Sequence, residues 1–268
     1  MHLPNIAYSF QASGISSLVY DPRTIGSSDG EPRNNINPAL QVSDYHDALT
    51  FVKSHPRVDP DALIYWGFSF AGSVALCAAA LDKRAKAVIA VNPLTTWDLP
   101  PTKREKVLAK AMRDRESQIA GNPAFRVPML TDDGENPAGF GAGGTGLEEL
   151  RLLKEAKERV VEFEETTTLQ TYYHIVAWCP FKVVRFMGQT AVLIVSGEED
   201  RISPIAKQRQ VLAGPSSGDW EEPTGVRDMF VLQGKGHLDV FDGEGLVAVM
   251  KKQVEFVQSL SSSRKGLN

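Results

Sequence analysis

Residues 62–80 read ALIYWGFSFAGSVALCAAA, and this stretch decides the fold. Leu63, Ile64, Tyr65 and Trp66 form an unbroken apolar run, as expected of a strand covered on both faces of a parallel sheet. Gly67, Phe68, Ser69, Phe70 and Ala71 follow as a Gly-x-Ser-x-Ala form of the nucleophile elbow, with Gly72 next and a helix-forming run over Val74–Ala80. A serine whose Oγ stands out at such a turn needs a strained backbone. The chain two residues to either side passes too close to neighbouring backbone for large side chains, a demand that Ala71 meets less generously than glycine. The Phe70 N–H, in the first helical turn, would point toward the oxyanion formed when Ser69 attacks.

Working outward, the spacing predicts a short helix over 3–13 with Ile6, Ala7 and Phe10 on one side and Gly14 as its stop. Ser16–Tyr20 reads as the first strand. The polar stretch DPRTIGSSDGEPRNNINP follows as a long loop, either ordered by Arg23, Asp29 and Arg33 or simply solvated. Asn37 caps a helix that opens on Pro38 and turns Val42, Tyr45, Ala48, Leu49 and Val52 inward. His46 and His55 have no metal-ligand spacing and read as solvated or locally bonded. Beyond the elbow, Ala87–Val91 is another buried strand, ending at Asn92–Pro93. The strand, helix, strand cadence predicts an α/β fold with a mostly parallel sheet.

From Leu94 to Gly188 the rhythm changes. Charged amphipathic helices are expected over Lys103–Ala120 and Leu147–Glu165, the second with Leu147, Leu150, Leu153, Val160 and Phe163 on its apolar side, and a third over Leu169–Ala177. No strand is expected in this interval. Gly141, Gly143 and Gly144 in GFGAGGTG lack the Lys-Ser/Thr ending of a phosphate loop and read as a hinge or surface loop. The aromatic group Tyr172, Tyr173, His174, Trp178, Phe181 and Phe186 serves either as an acyl-pocket lining or as plain core. The expected organisation is thus sheet domain over 1–93, helical cap insertion over 94–188, and sheet domain again over 189–268.

In the last part, Thr190–Val195 restores the strand pattern, SGEED follows it, and Pro204 opens a helix to Val211. A polar loop covers Gly214–Gly225. Met229–Leu232 is the expected last strand, His237 lies just beyond it in GKGHLDVF, and a helix over 243–260 closes the core before a serine-rich tail.

The chain has 268 residues, 42% of them hydrophobic and 23% charged, with a formal net charge of -4. That suits one sizeable core and gives nucleic-acid or anionic-membrane binding little electrostatic support. Cys77 and Cys179 make no disulfide framework, and Cys77 falls in the apolar helix after the elbow. No signal peptide pattern, eighteen-residue apolar run or C-terminal Ser-Lys-Leu is present, so an intracellular, cytoplasmic protein without a transmembrane segment is expected. His2, His46, His55, His174 and His237 show no ligand cluster, so neither a metal nor any other cofactor is expected.

Ser69 after an internal strand, Asp200 after a later one and His237 after the last stand in the order Ser, Asp, His of an α/β-hydrolase triad. His237 would take the serine proton and return it to the leaving group, with Asp200 fixing the imidazole tautomer and stabilising its charged state. Glu198, Glu199, Asp239 and Asp242 remain alternatives for the acid.

The segments DPRTIGSSDGEPRNNINP, YWGFSFAGSVALCAAALDKRAKAV, TLQTYYHIVAWCPF, SGEEDRISP and GKGHLDVF together resemble the fungal polyketide transferase and thiohydrolase family of α/β-hydrolases, over nearly the whole chain. The resemblance implies an enzyme of secondary metabolism, with some relatives in toxin pathways, that releases or transfers polyketide acyl groups. It maps the family's serine, acid and histidine onto Ser69, Asp200 and His237. The implied partner is a small-molecule acyl substrate, free or bound to a carrier protein as a thioester.

The sequence departs from that pattern at its start. The family has strands before the helix near Leu3, one of them central and followed by a His-Gly oxyanion loop, so the expectation here is an N-terminally truncated hydrolase. Ser16–Tyr20 must then pair with the elbow strand, pair through another copy in a homo-oligomer, or leave backbone groups unpaired. The oxyanion site keeps the Phe70 donor alone, and losing one such donor costs on the order of 3 kcal/mol. A general carboxylesterase with the same triad, and a non-catalytic partner protein, are the competing readings.

Overall fold

The structure, a computed structural model, describes residues 3–95, 99–138, 146–159, 163–213 and 224–265. In chain order the elements are α1 (Leu3–Ala12), α2 (Pro38–Lys53), β1 (Ile64–Phe68), α3 (Phe70–Leu81), β2 (Ala87–Val91), α4 (Pro101–Ile119), β3 (Arg126–Pro128), α5 (Leu147–Arg159), β4 (Thr166–Thr168), α6 (Leu169–Ala177), α7 (Pro180–Val184), β5 (Ala191–Gly197), α8 (Ile205–Ala213), β6 (Arg227–Leu232) and α9 (Glu244–Lys265). The chain divides into two compact units. One comprises Met1–Val19, Tyr45–Thr95 and Pro180–Asn268, and the other Tyr20–Asp44 and Thr96–Cys179.

The first unit is built on a parallel sheet in the order β1-β2-β5-β6. Every residue of β2 and β5 is buried, which explains why Ala87–Val91 and Ala191–Val195 run apolar rather than alternating. Ile89, Val91, Leu193 and Val195 pack on one face with Ile6 and Phe10 of α1 and Val249, Met250 and Phe256 of α9. Helix α3 packs against β1 and β2, and its residues Gly72–Ala80 are all buried, so the alanine run supplies a thin helix that lies close to the sheet.

Ser16–Tyr20 is not a strand. The segment has no regular pairing, and Leu18 and Val19 are 44% and 52% exposed. Its β-branched and aromatic residues favour extended backbone, but a strand exists only beside a neighbour, and among the described residues β1 pairs on one side only, with β2.

Asp82 ends α3 and holds this unit together locally. Its carboxylate accepts from the Tyr65 hydroxyl at 2.7 Å and from both Nε and Nη2 of Arg84 at 2.8 Å. Burial alone would raise the carboxyl, but these donors and the Arg84 backbone N–H outweigh it and hold the pKa down at about 2. Because the folded value lies below the unfolded one, the stabilisation is complete above about pH 4 and is lost as pH falls through about 2. Asp82→Asn should therefore cost on the order of 2 kcal/mol at pH 7 and about half of that at pH 3, read by urea denaturation at the two pH values.

In the second unit the polar loop is ordered by its own contacts. Arg23 Nε donates to Asp44 at 2.7 Å, the Arg33 guanidinium donates to the carbonyls of Gly26, Ser28 and Gly30, and the Thr24 N–H donates to the Asp29 carbonyl at 2.8 Å. Asn37 caps α2 by accepting from the N–H groups of Ala39 and Leu40. The expectation of no strand between Leu94 and Gly188 is wrong: β3 and β4 pair antiparallel, Arg126 opposite Thr168 and Pro128 opposite Thr166. Three residues each are too few to show a period of two in sequence. Tyr172 is buried with Leu169 and Ala138 in this unit's own core, so core packing accounts for it. Helix α5 is described over Leu147–Arg159, and residues 163–165, to which the spacing predicts it to run, are not helical; residues 160–162 lie outside the described residues, as do Gly141, Gly143, Gly144 and most of the 214–225 loop. Among the described residues no helix is long and apolar enough to cross a membrane.

Candidate active site

Ser69 sits between the last residue of β1 and the first of α3 with φ 54° and ψ −122°, in the positive-φ region that a non-glycine side chain enters only under constraint. The constraint comes from backbone bonds on both sides. The Ser69 N–H donates to the Val91 carbonyl at 2.9 Å, and the Ser69 carbonyl accepts from Gly72 and Leu94 at 3.0 and 2.9 Å. A Cβ on Gly67 would lie 2.3 Å from the Ala71 carbonyl oxygen, so glycine is obligatory two places before the serine. After the serine the sequence expectation is off by one: Ala71 is exposed, and the tight position is Gly72, where a Cβ would stand 3.1 Å from Pro93 Cα.

The three residues named from the sequence meet. His237 Nε2 lies 2.7 Å from Ser69 Oγ, and His237 Nδ1 lies 2.8 Å from Asp200 Oδ2. Asp200 and His237 are buried, at 4% and 8% exposure, while Ser69 is half-buried. The other Asp200 oxygen accepts from the N–H groups of Ile202 and Ser203 at 2.9 and 2.8 Å, which fixes the carboxylate plane. Phe68 lies 5.2 Å from the imidazole, ring centre to ring centre, and Phe241 packs edge-on against Phe68, so the histidine ring is confined by apolar walls.

Two of the alternative acids have other work. Asp239 accepts from the Gly236 N–H at 2.6 Å, and Glu198 accepts from the Gly234 N–H at 3.1 Å, so both shape the turn that presents His237. Phe70 opens α3, and its N–H stands at the positive end of that helix.

The residue that sequence reasoning missed is Asn92. It is fully buried, at φ 42°, directly after β2 and thus between the strands that lead to Ser69 and to Asp200. Its Nδ2 donates to the carbonyls of Gly236 and His237 at 3.2 and 2.7 Å, and its Oδ1 accepts from the Gly197 N–H at 2.8 Å. One amide thereby ties the turn before Asp200 to the backbone of His237. An Asn-Pro pair at the C-terminal end of a buried strand was the available signal. Asn92→Ala would leave three backbone groups short of a partner at about 1–3 kcal/mol each, so a loss of about 3 kcal/mol or more in unfolding free energy is expected, measured by denaturant titration.

The remaining histidines lie elsewhere. His46 Nε2 is 3.1 Å from the Ala78 carbonyl, and His55 Nδ1 accepts from the Arg57 N–H, local bonds of the kind expected. His174 is half-buried on α6 beside Asn37, its pKa lowered by burial and then by the Arg115 charge.

Comparison with known proteins shows the family and the fold. Residues 5–249 match the family model described as the alpha/beta hydrolase family. A thiohydrolase of Eupenicillium brefeldianum is 45% identical over 258 residues, covering 96% of this chain and 81% of that protein. A polyketide transferase of Aspergillus fumigatus is 41% identical, covering 96% of this chain and 84% of its own length. Among solved structures, DcsB in complex with its substrate analogue superposes with a TM-score of 0.88 at 37% identity, over 97% of this chain and 86% of that one. The α/β-hydrolase GrgF from a Penicillium species gives 0.82 at 35% identity, over 96% and 84%. With a parallel sheet, a serine elbow and relatives of this identity over nearly its whole length, the chain belongs to the alpha/beta hydrolase family, among the fungal polyketide transferases and thiohydrolases.

Proposed function

We propose that the protein is a serine-dependent acyl-transfer enzyme acting on a polyketide thioester or ester in secondary metabolism, with Ser69 as nucleophile, His237 as general base and acid, and Asp200 as the group that orients and charges the histidine. The observation that carries this reading is the unbroken hydrogen-bonded line from Ser69 Oγ through both nitrogens of His237 to Asp200. In the first half-reaction Ser69 Oγ attacks the acyl carbonyl while His237 Nε2 takes its proton. The developing oxyanion is met by the Phe70 N–H. The tetrahedral intermediate collapses, the carbon–sulfur or carbon–oxygen bond breaks, and the leaving thiol or alcohol departs with the proton from His237. In the second half-reaction water or an acceptor alcohol gives its proton to His237 and attacks the acyl-serine, and Ser69 recovers a proton as acid or ester is released.

Names of the relatives support the substrate class, since thiohydrolases and polyketide transferases recur among them. The test is release of free thiol from an acyl thioester of N-acetylcysteamine, followed with a thiol-reactive dye, with the acyl product identified by mass in the presence and absence of a primary alcohol. Thiol release with free acid marks hydrolysis, thiol release with ester marks transfer, and no release from any thioester or ester by folded protein would overturn the proposal.

A further inference from the structure

Residues 91–95, VNPLT, form the end of β2 and the turn after it, and they are bonded to the chain around each member of the triad. On one side the Val91 carbonyl accepts from the Ser69 N–H and the Leu94 N–H donates to the Ser69 carbonyl, both at 2.9 Å. On another, Asn92 Nδ2 donates to the His237 carbonyl at 2.7 Å. The third arm runs to Asp200 through Ser203. The Ser203 hydroxyl donates to the Pro93 carbonyl and lies 2.9 Å from the Thr95 hydroxyl, while the Ser203 N–H donates to Asp200 Oδ1 at 2.8 Å. A hydroxyl has one proton, so with that of Ser203 directed at Pro93, the Thr95 hydroxyl is the donor of the pair. The bonds therefore run one way, from Thr95 to Ser203 to Pro93.

These polar groups stand where polar atoms are costly. Asn92 and Ser203 are fully buried and Thr95 is 4% exposed. Burying a hydroxyl or amide carries a desolvation cost that its hydrogen bond does little more than offset, so apolar side chains would hold the turn as firmly. What the bonded groups add is direction, because a satisfied buried network fixes one arrangement of the segments it joins. Helix α3 closes the turn from its own side. The Ser73 hydroxyl donates to the Leu94 carbonyl, and a Cβ on Gly72 would stand 3.1 Å from Pro93 Cα, so the turn has no slack toward α3.

We infer that Ser203 and Thr95 are positioning residues for the reaction. Their hydroxyls fasten the Asp200 loop to the 91–95 segment, which also holds Ser69 and His237, so that the three groups keep the 2.7 and 2.8 Å line along which the proton moves. The role rests on the acyl-transfer reading of that site and deepens it. Among the described residues neither hydroxyl is bonded to a triad side chain, so the effect of each passes through the loop. A displacement of about 1 Å along such a line is enough to cost about a hundredfold in rate.

The experiment measures kcat and KM on an acyl thioester of N-acetylcysteamine, together with the urea unfolding midpoint, for wild-type protein, Ser203→Ala, Thr95→Val, Thr95→Ser and Tyr65→Phe. Thr95→Val removes the hydroxyl and keeps the shape of the side chain, whereas Thr95→Ser keeps the hydroxyl. Tyr65→Phe removes a buried hydroxyl bond to Asp82 near the start of β1, at the end away from Ser69, and is the control for lost stability alone. The expected result is a fall in kcat of about ten- to a hundredfold in Ser203→Ala and about tenfold in Thr95→Val, with KM within about twofold of wild type. Thr95→Ser should recover most of the lost kcat, and Tyr65→Phe should keep wild-type kcat despite a lower midpoint. Wild-type kcat in Ser203→Ala and Thr95→Val, whatever their midpoints, overturns the positioning role while leaving the acyl chemistry intact. A change confined to KM overturns it too, as does a Thr95→Ser enzyme no better than Thr95→Val. Should Ser203→Ala fail to fold, the two Thr95 variants decide on the same terms. If the wild type turns over neither thioester nor ester, the acyl-transfer reading fails and the positioning role fails with it.

Discussion

Ser69→Ala is expected to remove essentially all thioester turnover, a loss on the order of 10⁵-fold or more in kcat, with the fold intact. The alanine keeps the Cβ that the elbow already accommodates at φ 54°, so no new strain is introduced. It also removes a hydroxyl bonded to His237 rather than one that holds the backbone, since the elbow is fixed by the Ser69 N–H and carbonyl. Thermal unfolding should shift little while thiol release disappears. A variant that retained more than about one part in a thousand of wild-type kcat would place the nucleophile elsewhere.

Asp200→Asn is the second large effect. The substitution is nearly isosteric, and the amide oxygen can still accept from the Ile202 and Ser203 N–H groups. What it cannot do is offer a negative acceptor to His237 Nδ1 at 2.8 Å. The histidine then takes the wrong tautomer or loses the charge stabilisation it needs after accepting the serine proton, and a fall of about 10⁴-fold in kcat follows, with KM nearly unchanged. Steady-state kinetics on a small acyl thioester would measure it. An Asp200→Asn enzyme within tenfold of wild type would mean that one of the neighbouring acids carries the role.

The centre of this fold was legible because its signals are local. A four-residue apolar run, a Gly-x-Ser turn and an alanine-rich helix lie within nineteen consecutive residues, and the structure has β1, the strained Ser69 and α3 in that order. Strands β2 and β5 were equally plain, since burial on both faces leaves five consecutive apolar residues in each, Ala87–Val91 and Ala191–Val195. Ser16–Tyr20 misled for the opposite reason: its residues suit a strand, but pairing is a property of the neighbour and not of the segment. Strands β3 and β4 were too short to carry a period. In the second unit, Arg33 could be nominated as the organiser of the 21–38 loop but its carbonyl partners could not, because they depend on how the loop folds back on itself.

The site divides in the same way. Ser69, Asp200 and His237 were nominated by residue type, chain order and position after strands, and their distances are 2.7 and 2.8 Å. Their support was hidden. The Asn-Pro pair after a buried strand marks the position of Asn92 but not its role, which lies in facing Gly197, Gly236 and His237, residues more than a hundred positions away. The tight position after the elbow serine was likewise misplaced by one residue, onto Ala71 instead of Gly72, because the obstructing atoms belong to Pro93.

Residue 69 as the atom that becomes acylated is the point on which all the chemistry turns, and covalent labelling addresses it without knowledge of the natural substrate. Folded protein treated with a fluorophosphonate and digested for peptide mass mapping should carry one adduct, on Ser69, with the label lost in His237→Ala although the serine is still present. An adduct on another residue, or no adduct on a correctly folded chain, would contradict the account.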